Sequence, residues 1–180
     1  MPRYRAANPQ TFGLTKRSER LAVSVESSVV EGAVWEGAMP QTQLPVYFVD
    51  QPTFFDRDGL YQDRGVDFPD NLKRFSFFSQ AVLQLVPQLG WRPELVHCHD
   101  WQTALVCASL GLTKADDPFW RSVATVLTIH NLAYQGVFPR DAWPITGLPP
   151  GGFRIDWLEF YGKLNCLKGG LVFADWLSTV

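Results

Sequence analysis

Cysteine and histidine are scarce in this 180-residue sequence, with three of each. Cys98, Cys107 and Cys166 show no Cys-x-x-Cys spacing, and an odd number cannot close into a disulfide framework, so they read as free thiols of a reducing, cytoplasmic compartment. No uninterrupted apolar run approaches the ~20 residues that a membrane helix needs, and Met1 to Arg5 is not followed by the apolar core of a signal peptide. A partner membrane is therefore not expected. The net charge is -2 and the isoelectric point about 5.9, which leaves no basic field for a polyanion and excludes nucleic acid as the expected partner. No glycine-rich loop follows a strand, so the chain shows no nucleotide-phosphate cradle of its own. Internal repeats and low-complexity tracts are also missing.

What is present is apolar and aromatic. A hydrophobic content of 46%, with 13 Phe and 7 Trp, is enough to fill the core of one domain of this length. Leu21 to Glu26 and Val29 to Trp35 alternate around Ser27-Ser28 and predict an antiparallel ribbon. Val46 to Asp50 is an unbroken apolar run of the kind found at the centre of a sheet. Residues 37 to 70 otherwise carry many Pro, Gly and Asp and read as loop.

From Asp70 the period changes. Leu72, Phe75, Phe78, Val82, Leu85 and Leu89 recur every three or four residues and predict an amphipathic helix, which Pro87 is expected to end near Leu85 or kink. A strand over 94–98, a helix from Trp101 to Leu110 stopped by Gly111 and a strand over 123–129 follow. This alternation predicts an α/β fold with a parallel sheet and right-handed crossovers. Trp143 to Gly152 reads as a loop, Leu158 to Ala174 as a helix whose glycines permit close packing, and Trp176 to Val180 as a last strand, inside which the chain is expected to stop.

Two strands run straight into polar clusters, His97-Cys98-His99-Asp100-Trp101-Gln102 and His130-Asn131-Leu132-Ala133-Tyr134-Gln135-Gly136. In open α/β sheets ligands collect beyond the carboxyl ends of the strands, so the two clusters predict one shared site. A metal reading of His97-x-His99-Asp100 lacks the further ligands that zinc sites need, and no metal or cofactor is expected. His97 reads as a hydrogen-bonded core residue. Asp100 is placed to cap the helix at Trp101 and also to hold sugar hydroxyls or stabilise developing positive charge. Trp101 either fills the core or stacks on a sugar ring, with Asp100 and Gln102 taking hydroxyls. His130, Asn131, Tyr134 and Gln135 crowd donors and acceptors into one short loop, which Gly136 lets turn closely. Around Tyr61 and Asp70, Gly, Pro and Asp are also explained by loop shaping and helix capping.

Taken in order, Phe55-Asp56-Arg57-x-Gly59-Leu60-Tyr61, Asp70-Asn71-x-x-Arg74-Phe75, His97-x-His99-Asp100-Trp101-Gln102-Thr103, Thr128 to Gly136, and Leu158-Glu159-Phe160-Tyr161-Gly162-x-x-Asn165-x-Leu167-Lys168-Gly169-Gly170 resemble bacterial glycogen synthase and plant starch synthase from about Val46 onward. The resemblance implies a retaining glucosyltransferase of two Rossmann-like lobes (the GT-B arrangement), moving glucose from ADP-glucose, or sometimes UDP-glucose, to the non-reducing end of an α-1,4-glucan. Residues 1–180 would be an incomplete acceptor-side, N-terminal lobe. The family's first strand with its Lys-x-Gly-Gly-Leu loop, and its second lobe, are not found in the sequence, so the isolated chain is expected to be inactive. The resemblance implies catalytic roles for Asp100 and His130. It places Asn131 in the donor-glucose site, Trp101 in the catalytic and acceptor region, and Tyr61 near the acceptor. A cytoplasmic location, or a plastid in a plant, goes with it. Two other readings stay open: a non-enzymatic lobe that binds glucan or is inert, and a different retaining transferase of the same architecture.

Overall fold

The computed structural model describes residues 1–180. The chain divides into two compact units, Met1–Ala81 and Val82–Val180.

The first unit is built on the expected ribbon. Strands β1 (Thr15–Val25) and β2 (Ser28–Ala38) pair antiparallel, with Val25 opposite Ser28 and the tight turn made by Glu26, at φ 59°, and Ser27. Leu21, Val23 and Val25 are buried while their neighbours face outward, as the period of two requires. Strand β3 (Pro45–Asp50) pairs with β2, but it is not central. Its other side meets only the N-terminal residues, through a bridge from Pro2 to Val49, so its apolar run reflects burial within a small antiparallel sheet. Helix α1 (Pro52–Phe55) and a short hairpin of β4 (Gln62–Asp63) and β5 (Val66–Asp67) lead to α2 (Asn71–Gln88).

Helix α2 runs past Leu85 without breaking. Pro87 falls in its last turn, where the missing N–H costs a single helical bond, and Gly90 follows at φ 76°. Leu72, Phe75, Phe78 and Leu85 are buried as their spacing predicts, and so is Arg74. The Arg74 guanidinium donates to the carbonyls of Phe54 at 2.7 Å and Leu60 at 3.0 Å and to Asn71 Oδ1 at 2.6 Å, while Asn71 Nδ2 donates to Tyr61 O at 2.9 Å. Arg57 makes a two-pronged pair with Asp70 at 2.8 and 2.5 Å. The Asp70-Asn71-x-x-Arg74 motif is therefore a clamp on the loop that carries Tyr61.

The second unit is the predicted parallel sheet, ordered β11-β7-β6. Its strands are β6 (Leu95–His99), β7 (Ala124–Ile129) and β11 (Trp176–Thr179), with α3 (Asp100–Thr113) crossing from β6 toward β7. Gly111 does not stop α3. A Cβ there would meet the Phe173 ring at 2.6 Å, so this glycine lets α4 approach. Residues 158 to 174 are not one helix. Strands β9 (Glu159–Phe160) and β10 (Lys163–Asn165) form a hairpin that joins β8 (Val137–Phe138), and only Cys166–Phe173 are helical, as α4. Tyr161 and Gly162 both lie at positive φ, 50° and 76°, the signature of a two-residue hairpin turn. Gly169 and Gly170 do serve close packing, against Leu158 and against Ala104 and Leu127. The expected loop of Trp143 to Gly152 begins inside a run of 3-10 turns, Arg140–Thr146.

Candidate active site at the ends of two parallel strands

Parallel register sets the site. His99 of β6 pairs with Thr128 of β7, so the residues just beyond, Asp100 and His130, leave the sheet side by side. Asp100 does not cap α3. Its backbone sits at φ 55°, a left-handed conformation that costs a non-glycine residue about 1 kcal/mol and is tolerated best by Asn and Asp. The carboxylate instead crosses to the end of β7. Oδ1 accepts from the His130 backbone N–H at 2.7 Å and Oδ2 pairs with His130 Nδ1 at 2.9 Å. Opposite a carboxylate Nδ1 carries the proton, which leaves Nε2 as the ring's uncommitted polar atom. The turn at the start of α3 is closed by Thr103, whose hydroxyl bonds both the N–H and the carbonyl of His99.

The His130 loop is anchored at its far end. Gln135 Oε1 accepts from Asn165 Nδ2 at 2.8 Å, and the carbonyls of Gln135 and Gly136 accept from the N–H groups of Leu167 and Cys166, both at 3.0 Å. Asn165 also caps α4 by accepting from the Lys168 N–H. Gly136 lies at φ 62° directly over Trp101, where a Cβ would come within 2.4 Å of the indole. Trp101 is only 6% exposed and packs near Phe138, with ring centroids 5.6 Å apart. The core alternative thus holds for Trp101, because Gly136 lies on the ring that sugar stacking would need.

Asn131 turns its Oδ1 back onto the Ala133 N–H at 3.0 Å and stabilises the loop, while Tyr134 is 55% exposed and Gln102 half-buried on the first turn of α3. Tyr61 belongs to the first unit, 40% exposed, its ring 5.8 Å from that of Phe75.

The histidines depart from expectation. His97 is hydrogen-bonded, to Thr128 Oγ1 at 2.6 Å, but it lies on the exposed face of β6 rather than in the core. His99, two residues along on the same face, has its ring 4.3 Å from His97 and 5.3 Å from His130. Partial burial, and then repulsion from His97 and His130, hold the His99 pKa below the usual histidine range against the pull of Asp100. The sequence offers the i, i+2 spacing of His97 and His99 at a strand end only as a metal reading, and gives His99 no other place in the site. No three His, Cys, Asp or Glu side chains converge as a metal-ligand set, and no helix is long and apolar enough to cross a membrane.

Over residues 1–180 the sequence matches the starch synthase catalytic domain. The chain belongs to this family. Family relatives include glycogen synthase 2 of Geobacter sulfurreducens, 46% identical, and glycogen synthase of Thermotoga maritima, 41% identical, each alignment covering all of this chain and 37% of the relative. The chain thus spans a little over a third of the length of the family members it matches. The catalytic domain of starch synthase IV from Arabidopsis thaliana, solved bound to ADP and acarbose, superposes with a TM-score of 0.76 at 29% identity, over 91% of this chain and 33% of that one. The family's α/β lobe with a parallel sheet is therefore the fold seen here.

Proposed function

We propose that this chain supplies the acceptor-side part of a retaining glucosyltransferase that moves glucose from ADP-glucose to the non-reducing end of an α-1,4-glucan, with residues 1–180 forming part of the N-terminal lobe. The observation that carries the reading is the Asp100 carboxylate gripping both the backbone N–H and the ring of His130. Loss of the nucleotide leaves an oxocarbenium-like sugar, which is stabilised by partial negative charge held near the anomeric carbon. Asp100 offers such charge directly. It also fixes the His130 peptide, so that the His130 carbonyl is a second pre-oriented source. Asn131, Tyr134, Gln135 and Gln102 are assigned to sugar hydroxyls, and Tyr61 to the acceptor glucan. Trp101 supports the loop from beneath. Family membership over the whole chain, and a structural neighbour bound to ADP and acarbose, support a nucleotide-sugar donor and a glucan acceptor. Three buried free cysteines support a reducing cytoplasmic setting.

The test is glucosyl transfer from ADP-glucose to glycogen by a protein of the relatives' full length that carries this sequence. Asp100→Ala and His130→Ala should each lower turnover roughly a hundredfold or more with the fold intact. Rates near wild type would remove both residues from the site.

A further inference from the structure

Three imidazoles are linked by ring neighbours, His97 to His99 and His99 to His130, and the last meets the Asp100 carboxylate. His97 is fixed by Thr128 Oγ1, and His130 by Asp100 Oδ2. His99 neighbours both, its ring 4.3 Å from His97 and inclined 33° to it, and 5.3 Å from His130 and inclined 35°. Turning the His130 ring about Cβ–Cγ swings Nδ1 off the Asp100 carboxylate. A flat ring beside it limits the turning that would break this bond, and His97 backs that ring.

We propose that His99 is a positioning residue for His130: as an uncharged plate neighbouring both His97 and His130, it holds the His130 ring in the orientation that gives Nδ1–H to Asp100 and leaves Nε2 for the substrate side. This rests on Asp100 and His130 being the working pair. The charged and titratable groups facing His99 are His97, His130 and Asp100. Partial burial and the two neighbouring rings disfavour a proton on His99 against the pull of Asp100, and so favour the uncharged plate.

The experiment uses the 180-residue chain, labelled with nitrogen-15. Two-bond proton–nitrogen spectra at a pH where imidazoles are neutral report which ring nitrogen of each of the three histidines carries the proton. Wild-type His130 should favour protonated Nδ1 by about tenfold or more. His99→Ala and His99→Asn should each cut that preference at least about threefold, and His99→Phe, a flat neutral ring, should restore it. A residue that merely supported the fold would move the unfolding midpoint and leave the tautomer alone. An unchanged His130 tautomer in both ring-less variants overturns the role of His99 and leaves the Asp100–His130 pair standing. A wild-type His130 protonated on Nε2 overturns the pair and the proposal together.

Discussion

Asp100 carries two bonds to His130 from an unfavourable backbone conformation, and the surroundings hold it there. The left-handed φ turns the chain sharply out of β6, and the energy spent is returned by a charged acceptor bonded to a backbone N–H and a ring N–H. The same economy governs Gly136. Both a positive φ and the Trp101 ring exclude a side chain there, so Gly136→Ala should destabilise the chain by about 2–4 kcal/mol and displace the His130 loop. Gly162→Ala provides the comparison: φ is also positive but no atom lies within 4 Å, so the cost should be only about 1 kcal/mol. Urea unfolding of the two variants measures the difference, and equal losses would show that the contact with Trp101 is unimportant. At this scale the sequence disclosed the residue types of the site, since His, Asn, Asp, Tyr and Gln cluster at two strand ends. It did not disclose that Asp100 reaches His130 instead of its own helix. Capping is a local option for any Asp before a helix, whereas the His130 bond exists only once β7 lies beside β6.

Helix α2 shows what periodicity conveys about an element and what it omits. The apolar stripe from Leu72 to Leu85 is legible because core-facing positions must repeat every 3.6 residues. Arg74 breaks that pattern and is nonetheless fully buried. Its charge is compatible with burial because two carbonyls and the Asn71 amide oxygen accept from it and the rings of Phe55, Phe68 and Phe75 surround it at 5.0–5.5 Å. Arg74→Met keeps the volume and removes the donors, leaving the Phe54 and Leu60 carbonyls unpaired. It should cost about 3 kcal/mol or more and speed amide exchange through residues 54–61, as read by denaturant titration and hydrogen exchange. Residues 158 to 165 make the opposite case. Their apolar spacing fits a helix, yet Tyr161-Gly162 at positive φ turns them into a hairpin that adds to β8. A short segment satisfies either period, and the partner strand decides.

For the whole molecule, the Met1 amine, His99, Asp70 and Asp175 all have lowered pKa values and together set the acid side of the pH profile, with one sign. His99 has its pKa lowered in the folded chain, so the unfolded chain binds more protons near pH 6, and the stability that a neutral His99 contributes is complete above about 6.5 and fades as the pH falls. Asp70 and Asp175 follow at lower pH. Burial alone would raise both, but the hydrogen bonds and charge of Arg57, and those of Lys114 and Thr125, outweigh it and hold both carboxyls below the usual range. Their contribution is present above about pH 4 and is lost below it. Chemical unfolding followed across pH should therefore show a first decline that starts near pH 8 as the Met1 amine, pushed down to about 6 by burial, and then His99 take up protons on unfolding, and a second below about 4. His99→Phe should shrink the first decline to the part that the Met1 amine contributes and keep the second; a first decline of unchanged size would remove His99 from it.

The sequence by itself determined the antiparallel ribbon, the long amphipathic helix, the α/β alternation with its parallel sheet, the starch synthase likeness and the two polar strand ends. Each is written in spacing along the chain, through hydrophobic period, turn residues or contiguous motifs. Only packing settled that β3 is the edge strand of a three-stranded sheet, that Gly111 admits Phe173 instead of ending a helix, that Trp101 lies beneath Gly136, and that His99 neighbours both His97 and His130. These depend on residues far apart in the chain meeting in space. Local spacing fixes which face a side chain occupies, and only packing fixes what it meets there.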